Sequence, residues 1–215
     1  MSADAVVCTA LAQVGLSYSS ARLPYLALCY PGDTAADAAE MGRSQSSCGL
    51  VARGILRVAE VDGRLLFGGQ AVDVLRDPYA RLMRLGCYAL TLLEVLGQDR
   101  GLWVPARAGA EPEPGDVLVI GAESHGWGGG EHALTCTGRD GDRVDSVDGG
   151  QTDPGNSFHP TATRARSRTL IRVADTDELW LADAPALAEG RPVAGRRIQG
   201  WLRAGELPCV EPQAV

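Results

Sequence analysis

Lysine is absent from this chain of 215 residues, so all 20 of its basic residues are arginine. Acidic residues number 27, which gives a net charge of −7 and a pI near 5.0. Proteins that bind nucleic acid by electrostatic attraction need a basic surface to neutralise phosphates. The charge balance therefore argues against nucleic acid as a partner.

Paired cysteine motifs are also missing. The six cysteines stand at positions 8, 29, 48, 87, 136 and 209 without a C-x-x-C pair, and only three histidines accompany them. Structural zinc needs paired ligands of that kind, so we expect no metal, and we expect no cofactor. A chain of this length can bury a sufficient core without disulfides, and reduced thiols are the better expectation.

The sequence has no long apolar run either, since no uninterrupted stretch approaches the roughly 20 residues that span a bilayer. Residues 1–14 carry no basic segment before their apolar stretch, which predicts no export signal. We therefore expect no membrane span and a cytoplasmic location at synthesis. Delivery out of the cell as an effector, with an unknown delivery or assembly partner, stays an open extension.

The chain divides into two halves at the proline-rich segment 105–115. Before it, residues 3–14 and 78–96 have helical patterns. After it, the apolar run 117–120 suits a strand buried on both faces, and further strands are predicted at 131–137, 143–148, 168–173, 178–181 and 196–203. This order predicts an α+β fold with helices in the N-terminal half packed on a C-terminal antiparallel β-sheet. We expect a single domain over residues 1–205 and a loose tail over 206–215.

Cys48 stands where a helix is predicted to begin. Apolar residues recur after it at helical spacing, at Val51, Ile55 and Val58. The first turn of a helix has unpaired N–H groups and the positive end of the helix dipole, and both favour a thiolate over a thiol. This position favours a reactive cysteine.

A simpler interpretation is that Cys48 is a small buried hydrophobe, as free cysteines often are. Gly49 weighs against it, because glycine is a poor choice for the first turn of a helix unless something must approach closely. We therefore take Cys48 as the candidate nucleophile.

A cysteine nucleophile needs a base, and the chain offers His125, His132 and His159. His132 opens a predicted strand directly after a glycine-rich loop, which would hold the ring on rigid sheet. His125 lies within that loop and His159 precedes a proline in a turn-rich stretch. His132 is therefore the candidate base.

A third group usually fixes the tautomer of such a base by accepting its other ring proton. A hairpin through residues 138–142 would place the next strand beside His132. Asp148 ends that strand and is the candidate orienting residue. Asp145 alternates to the opposite face, and Gln151 is held in reserve.

Three motifs resemble the papain-like cysteine peptidase superfamily in its compact bacterial form, the NlpC and CHAP amidase groups. They are Ser-Cys-Gly-Leu-Val at 47–51 opening a helix, Gly-Asp-Val-Leu-Val at 115–119 in the first long strand, and His-Ala-Leu at 132–134 opening the next strand. The resemblance covers residues 42–151. It implies a papain-like fold with the catalytic cysteine at a helix N-terminus.

The resemblance also implies hydrolysis of an amide bond through an acyl-enzyme, in a peptide or in a peptidoglycan fragment. In these families the nucleophile's own N–H is one oxyanion donor; Tyr30, Gln45 and Ser46 are candidates for a second. The NlpC group typically has Asp-Cys-Ser-Gly at the nucleophile and histidine as the third residue, so the substrate stays open. Alternatives are a non-catalytic binding or scaffold module, for which Trp201 is a candidate anchor, and a transglutaminase-like acyl transferase.

Overall fold

The structure is a computed structural model, which describes twelve segments of the chain. The described residues are 3–29, 48–59, 93–94, 97–98, 101–106, 110–121, 132–156, 161–173, 176–183, 187–188, 191–192 and 195–206. The predicted helix over 78–96 and the predicted tail over 206–215 fall almost entirely outside these ranges.

Three short α-helices occur in the described part of the chain. They are α1 (Ala3–Ala12), α2 (Arg22–Cys29) and α3 (Cys48–Val58), and a 3-10 helix follows at Ala204–Glu206. The prediction of a helix that begins at Cys48 is confirmed. No helix among the described residues is both long enough and apolar enough to cross a membrane.

Nine strands make up most of the rest of the described chain. They are β1 (Trp103–Pro105), β2 (Val117–Gly121), β3 (His132–Asp140), β4 (Arg143–Gln151), β5 (Ala162–Val173), β6 (Glu178–Ala182), β7 (Leu187–Ala188), β8 (Arg191–Pro192) and β9 (Gly195–Leu202). Every pairing between them is antiparallel. The strand regions predicted after residue 115 are confirmed.

The main sheet closes on itself. Its order is β1-β9-β2-β3-β4-β5-β6, and β9 also pairs with β6, so six strands form a closed ring to which β1 is added beside β9. Strands β7 and β8 form a separate small hairpin. Closure leaves a sheet with an inner face and an outer face.

The two faces have separate cores because side chains alternate along each strand. Leu118, Ile120, Leu134 and Trp201 belong to the cluster inside the ring. Val117, Val119, Ala133 and Val147 belong to the cluster between the outer face and the three helices. Strand β2 is therefore buried on both faces, as its continuous apolar run predicts.

The predicted α+β, papain-like (NlpC/CHAP-type) fold is wrong. The described chain is mostly β, with a closed six-stranded antiparallel sheet and three short helices in place of a helical half packed on an open sheet. Part of the reason is that pairing between β6 and β9 depends on long-range register, which periodicity in the sequence does not encode. Helix α3 does pack on this sheet, against β3 and β4.

Two glycines set how closely α3 approaches its neighbours. A Cβ atom at Gly149 of β4 would lie 2.5 Å from the Cβ atom of Val51. A Cβ atom at Gly54 would collide with the backbone carbonyl of Leu28 in α2. Helix α3 is thus held tightly between the sheet and α2, and this position brings its first residue to the start of β3.

Candidate active site

Cys48 is the first residue of α3 and is 2% exposed. The His132 side chain and backbone groups of Ala133 and Gly49 lie close enough to its thiol to lower the pKa of the thiol. The structure therefore brings together the predicted nucleophile and the predicted base, which lie on different elements of the fold.

His132 is the first residue of β3, and its side chain is 11% exposed. Its Nε2 atom donates a hydrogen bond to Oδ2 of Asp148 at 2.9 Å. This contact occupies Nε2, so Nδ1 is the ring nitrogen that remains for another group. The imidazole is thus near both the carboxylate and the thiol.

Asp148 lies on the inner face of the closed sheet, since it is four residues after Val144 of the inner cluster and therefore shares a face of β4 with it. Its side chain is completely buried. Ser146 Oγ donates to Oδ1 at 2.7 Å, and the Arg168 guanidinium donates to Oδ1 at 3.2 Å and to Oδ2 at 2.6 Å. The carboxylate is therefore held by two cationic groups and a hydroxyl, which is how a buried charge is stabilised.

Asp145 and Gln151, the alternatives to Asp148 as the orienting residue, lie at different distances from the His132 ring. Asp145 lies at the surface and pairs with Arg143, so its predicted opposite orientation is confirmed. Gln151 lies near the base, with its Nε2 atom 3.5 Å from Nε2 of His132. Asp148 makes the shorter contact with the ring.

Electrostatics couple the three groups. Burial by itself would raise the pKa of the Cys48 thiol, but the hydrogen bond and the charge of His132, with the backbone contacts, lower it below its usual value. Burial would lower the pKa of His132, but its contacts with Asp148 and Cys48 raise it to about 9. Burial opposes ionisation of Asp148 as well, yet His132 and Arg168 hold its pKa far below the usual range. Both shifts favour the thiolate–imidazolium form of the pair over the form with a neutral thiol and a neutral imidazole.

A second buried thiol, Cys136 of β3, has the opposite environment. It is completely buried on the inner face, and its S–H donates to the carbonyl of Gly138 at 3.7 Å. Burial, aided by the nearby charges of Asp116 and Asp145, raises the pKa of this thiol to about 12. Among the described cysteines, those at positions 8, 48 and 136 are free thiols.

Other predicted site residues lie outside the described residues. They are His125, His159, Tyr30, Gln45 and Ser46. The segments directly before Cys48 and directly before His132 are also outside them. The two described pockets, of about 420 Å³ and 530 Å³, are not lined by Cys48 or His132. Within the described ranges, no cluster of three or more His, Cys, Asp or Glu side chains is placed to hold a metal.

Sequence reasoning missed two supports of the site, Ser146 and Arg168. Arg168 faces Val144 across the β4–β5 pair, and its side chain reaches along the inner face to Asp148. A signal was present, because Arg168 shares a face of the predicted strand with Leu170, and an arginine that is buried there needs an acidic partner. The register between β4 and β5 was needed to identify that partner.

Comparison of the chain with models of known protein families, with curated proteins and with solved structures finds no match.

Proposed function

We propose that this protein is a cysteine amidase or peptidase that hydrolyses an amide bond through a thioester acyl-enzyme. The observation that carries the proposal is the proximity of the Cys48 thiol to the His132 ring, which in turn lies 2.9 Å from the Asp148 carboxylate. A nucleophile, a base and a group that orients the base, in hydrogen-bond contact, are the arrangement used for nucleophilic catalysis of acyl transfer.

In the first step the Cys48 thiolate attacks the substrate carbonyl carbon. Because α3 begins at Cys48, the N–H groups of its first turn lack intrahelical partners, and they are suited to stabilise the oxyanion that forms. His132 then donates its proton to the leaving amine, and the C–N bond breaks. The product of this half-reaction is a thioester on Cys48 and a free amine.

In the second step water attacks the thioester. His132, now neutral, accepts a proton from the water, and the C–S bond then breaks to release the carboxylic acid product and to restore the Cys48 thiolate beside the protonated His132. Asp148 stays ionised throughout, because Arg168 and Ser146 hold it in addition to His132. Its role is to keep Nε2 protonated, so that Nδ1 is the nitrogen that exchanges protons with substrate groups.

The resemblance of the three sequence motifs to the NlpC and CHAP amidase groups supports the peptide part of peptidoglycan as the first substrate to test. Hydrolysis and transfer to an amine share the same acyl-enzyme. Product analysis with an added amine separates them.

The test is turnover of peptidoglycan fragments and of a peptide panel by the wild type, Cys48→Ala and Cys136→Ala. Loss of Cys48 should reduce hydrolysis by at least about 10³-fold, because the nucleophile is removed. Loss of Cys136 should leave hydrolysis nearly unchanged. Equal turnover by the wild type and Cys48→Ala contradicts the proposal.

A second candidate function is a binding or scaffold module without turnover. It is favoured by the burial of Cys48 and by the absence of that residue from the lining of the described pockets. Alkylation by iodoacetamide at pH 6.5 discriminates the two. An accessible ion pair should make Cys48 react about tenfold faster than an unactivated thiol of pKa about 8.5. Reaction no faster than that of such a thiol favours the module.

A further inference from the structure

A row of arginines runs along one face of β5 beside the candidate active site. Arg164, Arg166 and Arg168 alternate along the strand and therefore share a face. They lie opposite Asp148, Ser146 and Val144 of β4, respectively. Arg168 is largely buried against Asp148, whereas the other two arginines are exposed.

The two exposed arginines have no carboxylate partner among the described residues. Arg164 donates to the backbone carbonyl of Thr152 at 3.0 Å, and Arg166 donates to Oε1 of Gln151 at 2.9 Å. Other exposed arginines of the described chain, such as Arg143 and Arg172, are paired with acidic side chains. Within the described part of the chain, two adjacent arginines without a carboxylate partner thus lie beside the candidate triad.

Gln151 connects this positive patch to the site. Its Oε1 atom accepts the hydrogen bond from Arg166, which turns its Nε2 atom toward the His132 ring, 3.5 Å from Nε2. Only one amide side chain thus separates the guanidinium from the imidazole. A group bound at Arg166 would lie on the Asp148 side of the ring, away from the thiol.

A pocket of about 420 Å³ adjoins the same patch. Arg164 supplies its cationic wall, and apolar walls come from Val14, Pro154 and Ala165. The pocket lies next to the place where the β4–β5 register shifts, between Asp148 and Gln151. An apolar hollow with one cation at its rim suits a short aliphatic group that carries an anion.

We propose that Arg164 and Arg166, with this pocket, form a subsite for a carboxylate of the substrate, so that the enzyme acts on peptides with a free carboxylate several bonds from the scissile amide. The inference rests on the proposed function. Arginine suits this role because its planar guanidinium binds carboxylate oxygens with two parallel hydrogen bonds. The subsite would select acidic peptides over their amidated counterparts.

The test uses bromoacetyl derivatives of ω-amino acids of increasing chain length, each compared with its neutral carboxamide. Rates of alkylation at Cys48 are measured by peptide mass mapping, at low ionic strength. At the chain length that spans from the sulfur to the guanidinium groups, we expect the acid to react about threefold to fivefold faster than the amide, which is the size of one exposed ion pair. The preference should disappear in Arg164→Gln/Arg166→Gln.

Arg143→Gln is the matched control, since this exposed arginine of β4 is already paired with Asp145. It should leave the acid-to-amide ratio unchanged. A ratio that is independent of chain length, or that survives the double substitution, overturns the subsite while Cys48-dependent turnover still supports the enzyme. Failure of both reagents to label Cys48 overturns the proposed function and the subsite with it.

Discussion

Cys48 and Cys136 are two buried thiols of one fold with opposite acidities. They are 2% and 0% exposed, respectively. The pKa of Cys48 is lowered, whereas that of Cys136 is raised to about 12. Burial raises the pKa of both thiols, so burial cannot account for the difference between them.

The difference comes from the partner of each thiol. Cys48 meets an imidazole that Asp148 keeps protonated, and it stands at the start of a helix. Cys136 stands within a strand and donates its hydrogen to a carbonyl, with carboxylates nearby. A cationic donor stabilises a thiolate and a carbonyl acceptor stabilises a thiol. The groups around each thiol, and not its burial, thus distinguish the candidate nucleophile from the other buried cysteine.

His132→Gln is the substitution with the largest expected effect on this comparison. It removes the base and the positive charge and leaves the burial of Cys48 in place. The pKa of Cys48 should therefore rise above that of an ordinary thiol, so that it resembles the raised pKa of Cys136. Hydrolysis should fall by at least about 10³-fold. Alkylation of Cys48 at pH 6.5 should fall as well.

The matched control for His132→Gln is Cys136→Ala, which removes the other buried thiol. It should leave both the hydrolysis rate and the labelling of Cys48 within about twofold of the wild type. Labelling of Cys48 in His132→Gln at the wild-type rate would show that the imidazole does not activate the thiol.

Arg168→Met tests the outermost charge that supports Cys48 through Asp148 and His132. Removing one partner of a buried ion pair leaves the other without compensation, so the free energy of unfolding should fall by about 3 kcal/mol. Urea denaturation measures this loss. Arg143→Met, at an exposed pair, should change it by less than about 0.5 kcal/mol. Equal losses of unfolding free energy in the two variants would mean that the Arg168 contact stabilises the protein no more than an exposed ion pair does.

The smallest expected effect concerns the pH dependence of stability. The raised pKa of His132 contributes stability that is present below its unfolded value of about 6.5 and is lost as pH rises through about 9. The lowered pKa of Cys48 contributes stability that is present above its unfolded value and is lost as pH falls through the folded one. Between pH 6.5 and 9 the contribution of His132 therefore falls as pH rises, whereas the contribution of Cys48 rises toward its full value.

The two contributions therefore oppose each other in the wild type. In Cys48→Ala only Asp148 still raises the pKa of His132, so the shift is smaller, but its contribution is no longer opposed, and the free energy of unfolding should fall as pH rises above 6.5. Denaturation curves at several pH values measure this. A wild type and a variant with parallel pH profiles would rule out the thiolate–imidazolium pair.

The site was largely predictable from the sequence because its signals are local. Cys48 was identified by its place at a helix start and His132 by its place at a strand start. Asp148 followed from a hairpin whose turn chemistry is explicit, with Gly141 in the left-handed region at φ 57°. Each inference needed only neighbouring residues.

Features that depend on distant residues were not predictable. Sheet closure requires β9 to pair with β6, and the role of Arg168 requires the register of β5 against β4. Val58, expected on the buried side of α3, is 48% exposed. Helix α3 packs on two sides, against Gly149 and against α2, so its buried face is not a single stripe.

Closure of the sheet by β9 has a consequence for the order of assembly. The β3–β4 hairpin joins its strands through a two-residue turn, so His132 and Asp148 can meet within microseconds of their synthesis. Strand β9 ends at Leu202 and pairs with β1, β2 and β6, so the ring cannot close before the chain has been made as far as Leu202. Cys48 gains its imidazole partner only when α3 docks on the sheet. We therefore expect the nascent chain to carry an ordinary thiol, which becomes activated once folding is nearly complete.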